Sequence, residues 1–486
     1  LAAKGLVLGL GAGWVASLLP ALEASRTPPV QVLRRSEIEA RAVRRTPRLA
    51  MAGAVLSVLG TLIFRLSAAS VGWAFAALLV LVLGITLLTP AATSGVVRLA
   101  SRARLGPLGR MAVGGLVKHG SRTGPAIAAL MVALSVAIGV TLMIESFRST
   151  VDNWLSLTLW SDLYVGSPAS TGTRPMASLS PDLELRLAEV PGVKDVEVLR
   201  AVLVESEFGE VHLSAVDSGR VRDQGLYRLA QGSAAEIWER VRSGAVIVSE
   251  SLGRRHPITD SITIVTDRGP RTFPIVGVFY DYSTDRGTVL MSRDVHLRHW
   301  NDPAISSLGL TAEADVAPNE LAERVRASLA GTGLEVQVNQ QVREQALAIF
   351  DRTFAITNAL RLLAVVVAFI GVLSALMALL LERSREFATL SVLGITPAGL
   401  KRLVFLESGL MGLVASVLAM PTGLLLAVLL IEVINARSFG WTIQLGWDWV
   451  PFVQAVLVGV GAALAAAIYP TARLQKLTVA RALTQE

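Results

Sequence analysis

Long apolar runs and one long polar stretch alternate along the 486 residues of the chain, and this pattern predicts most of its architecture. Seven runs have the length of about 20 residues that an α-helix needs to cross a hydrocarbon core of roughly 30 Å. They lie at 5–22, 50–66, 71–95, 125–145, 355–381, 404–432 and 450–470. Because 146–354 contains no such run, we predict seven membrane spans with a large polar domain inserted between the fourth and the fifth.

The polar insert has the pattern of a mixed α and β domain. Runs rich in β-branched residues predict strands at 193–205, 244–250, 261–267, 271–281 and 287–292. Amphipathic runs predict helices at 181–190, 234–241 and 318–330. Because these helices are grouped among the strands, we predict an α+β domain of two small lobes. Helical patterns at 144–155 and 341–360 extend the adjoining spans, which predicts two stalks between membrane and domain.

Charge separates the two parts and orients them. Residues 146–354 carry 21 Lys and Arg against 28 Asp and Glu, a net charge of −7, whereas the remainder carries 24 against 10, a net charge of +14. The basic excess lies in short loops beside the spans, so it reports membrane topology and no nucleic-acid partner. By the positive-inside rule the basic loops are cytoplasmic. This places 146–354 outside the membrane and 382–402 inside it.

The cytoplasmic segment 382–402 reads ERSREFATLSVLGITPAGLKR, which predicts a short amphipathic helix, a stop and a new helix. Its apolar positions are Phe387, Leu390 and Gly394, and its charged face holds Arg383, Arg385 and Glu386. Gly394 suits the position after a helix end, and Thr396 and Pro397 suit the start of the next helix. From this segment alone, a plain interfacial connector and a docking surface are equally compatible.

A second amphipathic run, 108–120, precedes the fourth span. Its apolar and basic positions suit a helix in the inner membrane interface, and packing onto the neighbouring cytoplasmic loop is the alternative. The sequence does not separate the two.

Motifs for chemistry are mostly missing. The chain has no GxxxxGK[ST] motif for ATP and no cysteine, so disulfides and cysteine-based metal sites are excluded. His296 and His299 have a ligand-like spacing, but a pair of polar surface histidines is the favoured interpretation. Ser249 and Ser251 lie at a strand end without a nucleophile elbow, and 280–287 suits a hairpin turn. We therefore predict no catalytic, cofactor or metal site, and an enzyme in the outer domain is unsupported.

An internal repeat indicates a longer protein. Residues 5–33 align without gaps to 455–483, and both segments contain a span, a proline (Pro20 and Pro470) and a basic helical tail. The chain also begins inside an apolar run, without Met. We therefore expect a fragment in which 1–33 is the last span and cytoplasmic tail of a preceding module, and 34–107 is a cytoplasmic linker with a two-span hairpin.

Three segments resemble the FtsX/MacB-like permease family of ABC transporters, also called type VII. They are RMAVGGLVKHGSRTGPAIAALMVALSV (110–136), the block at 382–413, and AAIYPTARLQKLTVARAL (466–483); SDLYVGSP (161–168) is similar to the start of the family's outer domain. The resemblance implies an α-helical integral membrane protein with an inserted α+β extracytoplasmic domain of the MacB periplasmic core type.

The resemblance also implies a division of the chain. Residues 108–145 would form the interfacial helix and first span of the final module, and 146–354 the extracytoplasmic domain with its stalks. Residues 355–486 would form the three-span permease domain with a coupling helix at 383–393. The chain would then be the C-terminal part of a two-module permease with ten spans in the bacterial inner membrane.

The implied partners are an ABC ATPase subunit acting as a dimer, a second permease module or chain, membrane lipids, and a periplasmic or outer-membrane protein. ATP hydrolysis in the partner would move the outer domain by mechanotransmission, for export or extraction of a lipid, lipoprotein, peptide or drug. The alternative is a non-transporting subunit that activates a cell-wall hydrolase or senses an antibiotic peptide. The implied ATPase contacts are Arg383, Arg385, Glu386, Phe387, Leu390, Leu393 and Gly394.

Overall fold

Six helices long and apolar enough to cross a membrane occur in the described part of the chain. The computed structural model describes residues 35–66, 70–100, 106–118, 120–168, 177–217, 227–230, 232–256, 260–284, 286–382 and 392–474, with the isolated positions 11, 14, 102, 389 and 390. The six helices are Thr46–Leu66, Val71–Leu99, Thr123–Thr158, Asn339–Ser374, Pro397–Ser438 and Val450–Tyr469. They match the second to seventh predicted spans, while the predicted span 5–22 lies outside the described residues.

The helices and strands of the described residues follow one another in the predicted order. The helices are α1 (Arg35–Leu66), α2 (Val71–Ala100), α3 (Pro107–Lys118), α4 (Gly120–Thr158), α5 (Asp182–Ala188), α6 (Ala234–Ser243), α7 (Glu250–Arg255), α8 (Arg293–His299), α9 (Pro318–Ser328), α10 (Asn339–Glu382), α11 (Pro397–Val428), α12 (Ala436–Ser438) and α13 (Val450–Leu474). A π-helical segment, Leu429–Asn435, joins α11 to α12. The strands are β1 (Leu163–Gly166), β2 (Val193–Ser206), β3 (Gly209–Val216), β4 (Tyr227–Ala230), β5 (Val246–Ser249), β6 (Ser261–Thr266), β7 (Gly269–Phe279), β8 (Thr288–Ser292), β9 (Ser307–Ala312) and β10 (Glu335–Val338).

Helices α4, α11 and α13 form the centre of the membrane region. Glycines let their backbones approach closely, as small residues do in membrane helix pairs. A Cβ atom at Gly423 of α11 would lie 2.6 Å from Cβ of Ile138 on α4, and one at Gly412 would lie 2.6 Å from the carbonyl oxygen of Gly459 on α13. Neither position therefore has room for a side chain.

We expect Gly423→Leu to destabilise this bundle, because the added side chain must push α4 and α11 apart. Overpacking of this kind costs about 1–3 kcal/mol or more. The matched control is Gly371→Leu on α10, since a Cβ there has no neighbour within 4 Å. Thermal unfolding of the purified chain in detergent measures both variants. Equal midpoints for the two would contradict the close α4–α11 crossing.

Helix α3 packs on the membrane-helix bundle through one buried face. Its Ala112, Val113 and Leu116 are buried in the same cluster as Leu400 and Leu403 from the start of α11. Of the two alternatives for 108–120, the structure therefore favours packing onto the neighbouring cytoplasmic region. Movement at the start of α11 will reach α3 directly.

The extracytoplasmic domain is built on one sheet, and its described residues form three hydrophobic clusters. The described strands have the order β10-β1-β9-β2-β3-β8-β5-β7-β4, and β6 pairs with β2 and β7. The β3–β8 and β5–β7 pairs are parallel, and the other pairs are antiparallel. One core lies under β10, β1, β9 and β2 with α5 and α9, and another lies under β3, β5, β6, β7 and β8. The third cluster packs α6 and the end of α4 against β5 and β7. The predicted α+β domain is confirmed, and its strands form one continuous sheet in which the 14-residue β2 contributes to two of the clusters.

One turn prediction is wrong. The segment 280–287 was expected to be a hairpin turn, but β7 and β8, which it connects, do not pair with each other. Both pair with β5, which lies between them. Asp281 in this connection is buried, and its carboxylate accepts hydrogen bonds from Ser283 and Thr288. The acidic side chain thus stabilises a crossover connection.

Candidate functional site

The cytoplasmic turn between α10 and α11 is the candidate docking site. Of the residues expected to contact the ATPase, Arg383, Arg385, Glu386 and Phe387 lie outside the described residues. Leu390 is half-buried against the membrane-helix core, whereas Leu393 is 75% exposed. Val392, which the sequence did not single out, is 68% exposed. Its position next to Leu393 is the sequence feature that could have identified Val392 as a candidate contact.

Backbone geometry fixes this turn. The Leu393 amide donates to the carbonyl oxygen of Thr389, and the Ile395 amide donates to that of Leu390, each at 3.0 Å. Gly394 between them has φ +96°, a conformation that side chains disfavour. The hydroxyl of Thr396 then accepts from the Gly399 amide at 3.1 Å, and Pro397 occupies the first turn of α11. The predicted helix stop and helix start are confirmed.

The turn is anchored on the membrane bundle. Leu390 and Ile395 pack against the cluster that contains Leu400, Leu403 and Val404 of α11. A force applied at the exposed Val392 and Leu393 therefore reaches α11 through buried contacts. Leu390 faces that core, so its position suits a residue that holds the turn in place.

Two continuous helices connect the membrane region with the outer domain. Helix α4 runs from Gly120 to Thr158 and α10 from Asn339 to Glu382, so neither is interrupted at the membrane boundary. Ion pairs join the two outside the membrane: Arg148 Nε lies 3.1 Å from Asp351 Oδ1, and Arg343 Nη2 lies 2.8 Å from Asp152 Oδ1. Helices α4 and α10 therefore run on from their apolar spans to the outer domain.

The top of the stalks is tied into the sheet. Asn339, the first residue of α10, donates from its side-chain amide to the carbonyl oxygens of Leu159 and Ser161 at 2.8 Å each. Its backbone amide donates to the carbonyl oxygen of Asp162 at 2.9 Å. Strand β10 ends where α10 begins, and β1 begins shortly after α4 ends. Tilting of either stalk will therefore move the sheet.

The histidines of the outer domain do not form a metal centre. Within the described residues, no group of three or more His, Cys, Asp or Glu residues is placed to hold a metal ion. The expectation of a surface position is wrong for His296, which is fully buried and stacks on Trp300 with ring centroids 5.0 Å apart. Neither ring nitrogen of His296 has a hydrogen-bond partner in the structure.

Burial of His296 makes the outer domain sensitive to acid. Desolvation lowers the pKa of His296 to about 4, while nearby Asp302 opposes this shift and Arg200 and Arg293 reinforce it. As pH falls from about 6.5 towards 4, the unfolded chain takes up a proton that the folded chain refuses. Stability is therefore lost with falling pH across this window.

We expect His296→Phe to remove this loss, because phenylalanine keeps the stacked ring without a titrating group. From the two pKa values, the wild type should lose about 2 kcal/mol between pH 7 and pH 5 that the variant keeps. Denaturant unfolding of the full chain at the two pH values, followed by tryptophan fluorescence, measures this. The same pH dependence in both proteins would contradict the assignment.

Comparison with known proteins agrees with these features. Residues 358–479, which include the C-terminal part of α10, the cytoplasmic turn, α11 and α13, match the FtsX-like permease C-terminal family. An ABC transporter permease protein of Mycobacterium tuberculosis is 41% identical over 494 aligned residues, which cover 99% of this chain. The chain spans 58% of the length of that relative.

Two solved extracytoplasmic regions are similar to part of the chain. The periplasmic region of MacB from Actinobacillus actinomycetemcomitans is 13% identical, with 38% of this chain and 91% of that chain covered and a TM-score of 0.27. The extracellular domain of the noncanonical ABC-type transporter YknZ from Gram-positive bacteria is 16% identical, with 37% and 98% covered and a TM-score of 0.26. Residues 358–479 thus belong to the FtsX-like permease C-terminal family, and the chain, a multi-pass membrane protein, is similar over 99% of its length to an ABC transporter permease.

Proposed function

We propose that the chain is the transmembrane subunit of an ABC transporter that converts ATP hydrolysis in a partner ATPase into motion of its outer domain. The observation that carries this proposal is the pair of unbroken stalks, α4 and α10, which reach from the membrane bundle into the sheet. The ion pairs between them favour joint movement. Rods of this kind are suited to transmitting a tilt, because an α-helix resists bending over several turns.

The cytoplasmic turn supports the same proposal. Val392 and Leu393 expose apolar surface beside the charged segment 383–386, and exposed apolar side chains next to charges are typical of protein-docking sites. We propose that the coupling helix 383–393 binds the ATPase, with Leu393 as an apolar contact and Leu390 as its support. The remaining proposed contacts are Arg383, Arg385, Glu386, Phe387 and Gly394.

The wider assembly follows from the same function. We propose an ATPase dimer, a second permease module or chain, and a chain that is the C-terminal part of a two-module permease, with 1–33 as the tail of the preceding module. The load on the outer side would be a lipid, lipoprotein, peptide or drug. The outer domain of the chain has a net charge of −7 over 146–354, which favours a neutral or cationic load.

Purification of the tagged full chain from its own membranes tests the function. We expect a subunit with a P-loop to purify with it, identified by mass spectrometry, and the purified complex to hydrolyse ATP. The control is a preparation in which the P-loop lysine of that subunit is replaced, which should keep the complex and lose hydrolysis. A chain that purifies intact without an ATPase would contradict the proposal.

A further inference from the structure

The segment 439–449 between α12 and α13, here called the outer clasp, docks on the extracytoplasmic domain. Its Thr442 amide donates to Oε2 of Glu250 at 2.9 Å, and the Thr442 hydroxyl donates to Oε1 at 2.5 Å. Arg254 Nε also donates to Oε1 at 2.9 Å. In return, the Tyr282 hydroxyl donates to the carbonyl oxygen of Thr442 at 2.6 Å. Arg254 Nη2 donates to the Thr442 hydroxyl at 2.8 Å, so that one residue of the clasp bonds with three side chains of the domain.

The burial of Glu250 makes its hydrogen bonds to the clasp important for stability. Glu250 is 1% exposed, and a buried carboxylate is tolerated only when charged or polar donors surround it. Of the donors named above, only Arg254 belongs to the domain, and the other two belong to Thr442 of the clasp. Separation of the clasp from the domain would therefore take two hydrogen bonds from a buried charge. Burial also raises the pKa of Tyr282, so its hydroxyl remains a donor.

The clasp also binds the stalk and the membrane hairpin. Its Gln444 and Gly446 amides donate to the hydroxyls of Thr150 and Ser146 on α4, each at 3.1 Å. At its other end, the Asn435 side chain donates to the carbonyl oxygen of Trp441 at 2.8 Å. The domain, the stalk and the α11–α13 hairpin thus meet at one short segment.

An aromatic cluster fills the centre of this junction. Phe147 of α4 lies 5.7 Å from Trp441 of the clasp, 5.1 Å from Phe350 of α10 and 6.4 Å from Tyr282 of the domain, between ring centroids. Tyr282 and Trp441 lie 5.9 Å apart. These distances are in the range of favourable aromatic pairs. Four elements therefore share one packed joint.

We propose that the outer clasp stays closed throughout the working cycle, so that the domain, the outer end of α4 and the α11–α13 hairpin move as one rigid body. This inference rests on the proposed function, and it adds that the outer clasp is a rigid connection and not a hinge. Motion then enters the domain through tilting of whole helices, and the hairpin that carries the cytoplasmic turn is linked to the domain at its outer end.

The absence of cysteine from the chain makes a locking test direct. A Cβ atom at Gly440 would lie 3.6 Å from Cβ of Ser251, within the range that disulfides require. We expect Ser251→Cys/Gly440→Cys to cross-link in the oxidising extracytoplasmic space and, when cross-linked, to complement a strain that lacks the gene as well as each single variant does. The proposal would be overturned if the cross-linked double variant failed to complement while both single variants complemented, and if a reductant restored its activity.

Two further measurements separate the clasp from the function and from folding. Gly440 has φ +76°, so a side chain there is strained. The variant Ser146→Cys/Gly446→Cys is therefore a second lock at an unstrained glycine, since a Cβ at Gly446 would lie 4.0 Å from Cα of Ser146.

Hydrogen exchange of the Thr442 amide in the full chain tests the clasp without an ATPase. A closed clasp predicts protection of roughly 100-fold or more, with and without ATP in the complex. An unprotected Thr442 amide would overturn the clasp even if transport is confirmed.

Discussion

Leu393→Asp is expected to remove most of the binding between this chain and its ATPase. Leu393 is 75% exposed on a turn that hydrogen bonds and Gly394 hold in place, so the substitution changes the surface and leaves the bundle intact. An aspartate in an apolar contact loses buried area and brings an unpaired charge into the interface. We expect a loss of about 2 kcal/mol or more, which corresponds to about 30-fold in Kd. Co-purification and a binding titration in detergent measure it.

The chain supplies a matched control for this experiment. Leu185 of α5 is 71% exposed, nearly as much as Leu393, but it lies in the extracytoplasmic domain. Leu185→Asp introduces the same charge on the other side of the membrane, and it should leave the ATPase affinity unchanged. If both variants bind the ATPase like the wild type, the turn is not the docking surface. Leu390→Asp is a poor test, because Leu390 packs against the core.

A flexible insertion in the stalk α10 is expected to impair coupled activity strongly while the ATPase remains bound, since only α4 and the outer clasp then connect the domain rigidly to the membrane helices. The sequence Gly-Gly-Ser-Gly between Arg352 and Thr353 ends the helical rod between domain and membrane, since each glycine disfavours helix by about 1 kcal/mol. The cytoplasmic turn is far along the chain from this site and should keep its partner. We expect ATP hydrolysis to persist and complementation of a deletion strain to be strongly reduced.

The same insertion in a loop controls for the added residues. Between Thr332 and Gly333, in the exposed connection of α9 and β10, it lengthens the outer domain without breaking a stalk. Loop insertions of this size cost little stability. The loop variant should complement the deletion strain. A stalk variant that complements equally well would show that α10 is no mechanical link.

The sequence predicted the elements with long or regular patterns and missed short ones. The predicted strand 193–205 matches β2, and the helix predicted at 318–330 matches α9. Strands β1, β4 and β10 were missed because four residues are too few to establish an alternating pattern, whereas the equally short β5 was predicted from its continuous β-branched run, Val246 to Val248. Strand β3 follows β2 after a tight turn at Gly209, and its alternating burial was not recognised.

The cytoplasmic turn and the outer clasp also differ in how far the sequence could predict them. The cytoplasmic turn could be predicted because a helix end and a helix start have local sequence signals, here Gly394 followed by Thr396 and Pro397. Glu250 and Thr442 are 192 positions apart, and nothing local marks either residue as a contact. His296 has the composition of a surface helix around it, but α8 packs against β3, β8 and α6, and His296 is fully buried there. Contacts between distant segments require the fold.

The proposed function requires that ATP in the cytoplasm moves the outer domain through the membrane helices. A donor dye on Leu185→Cys, the only cysteine in that variant, and acceptor-labelled lipids in a nanodisc report the distance between domain and bilayer by energy transfer. Transfer is expected to change when ATP is added to the complex, and to change less in the variant with the stalk insertion after Arg352. Transfer that stays constant while the wild-type complex hydrolyses ATP would contradict it.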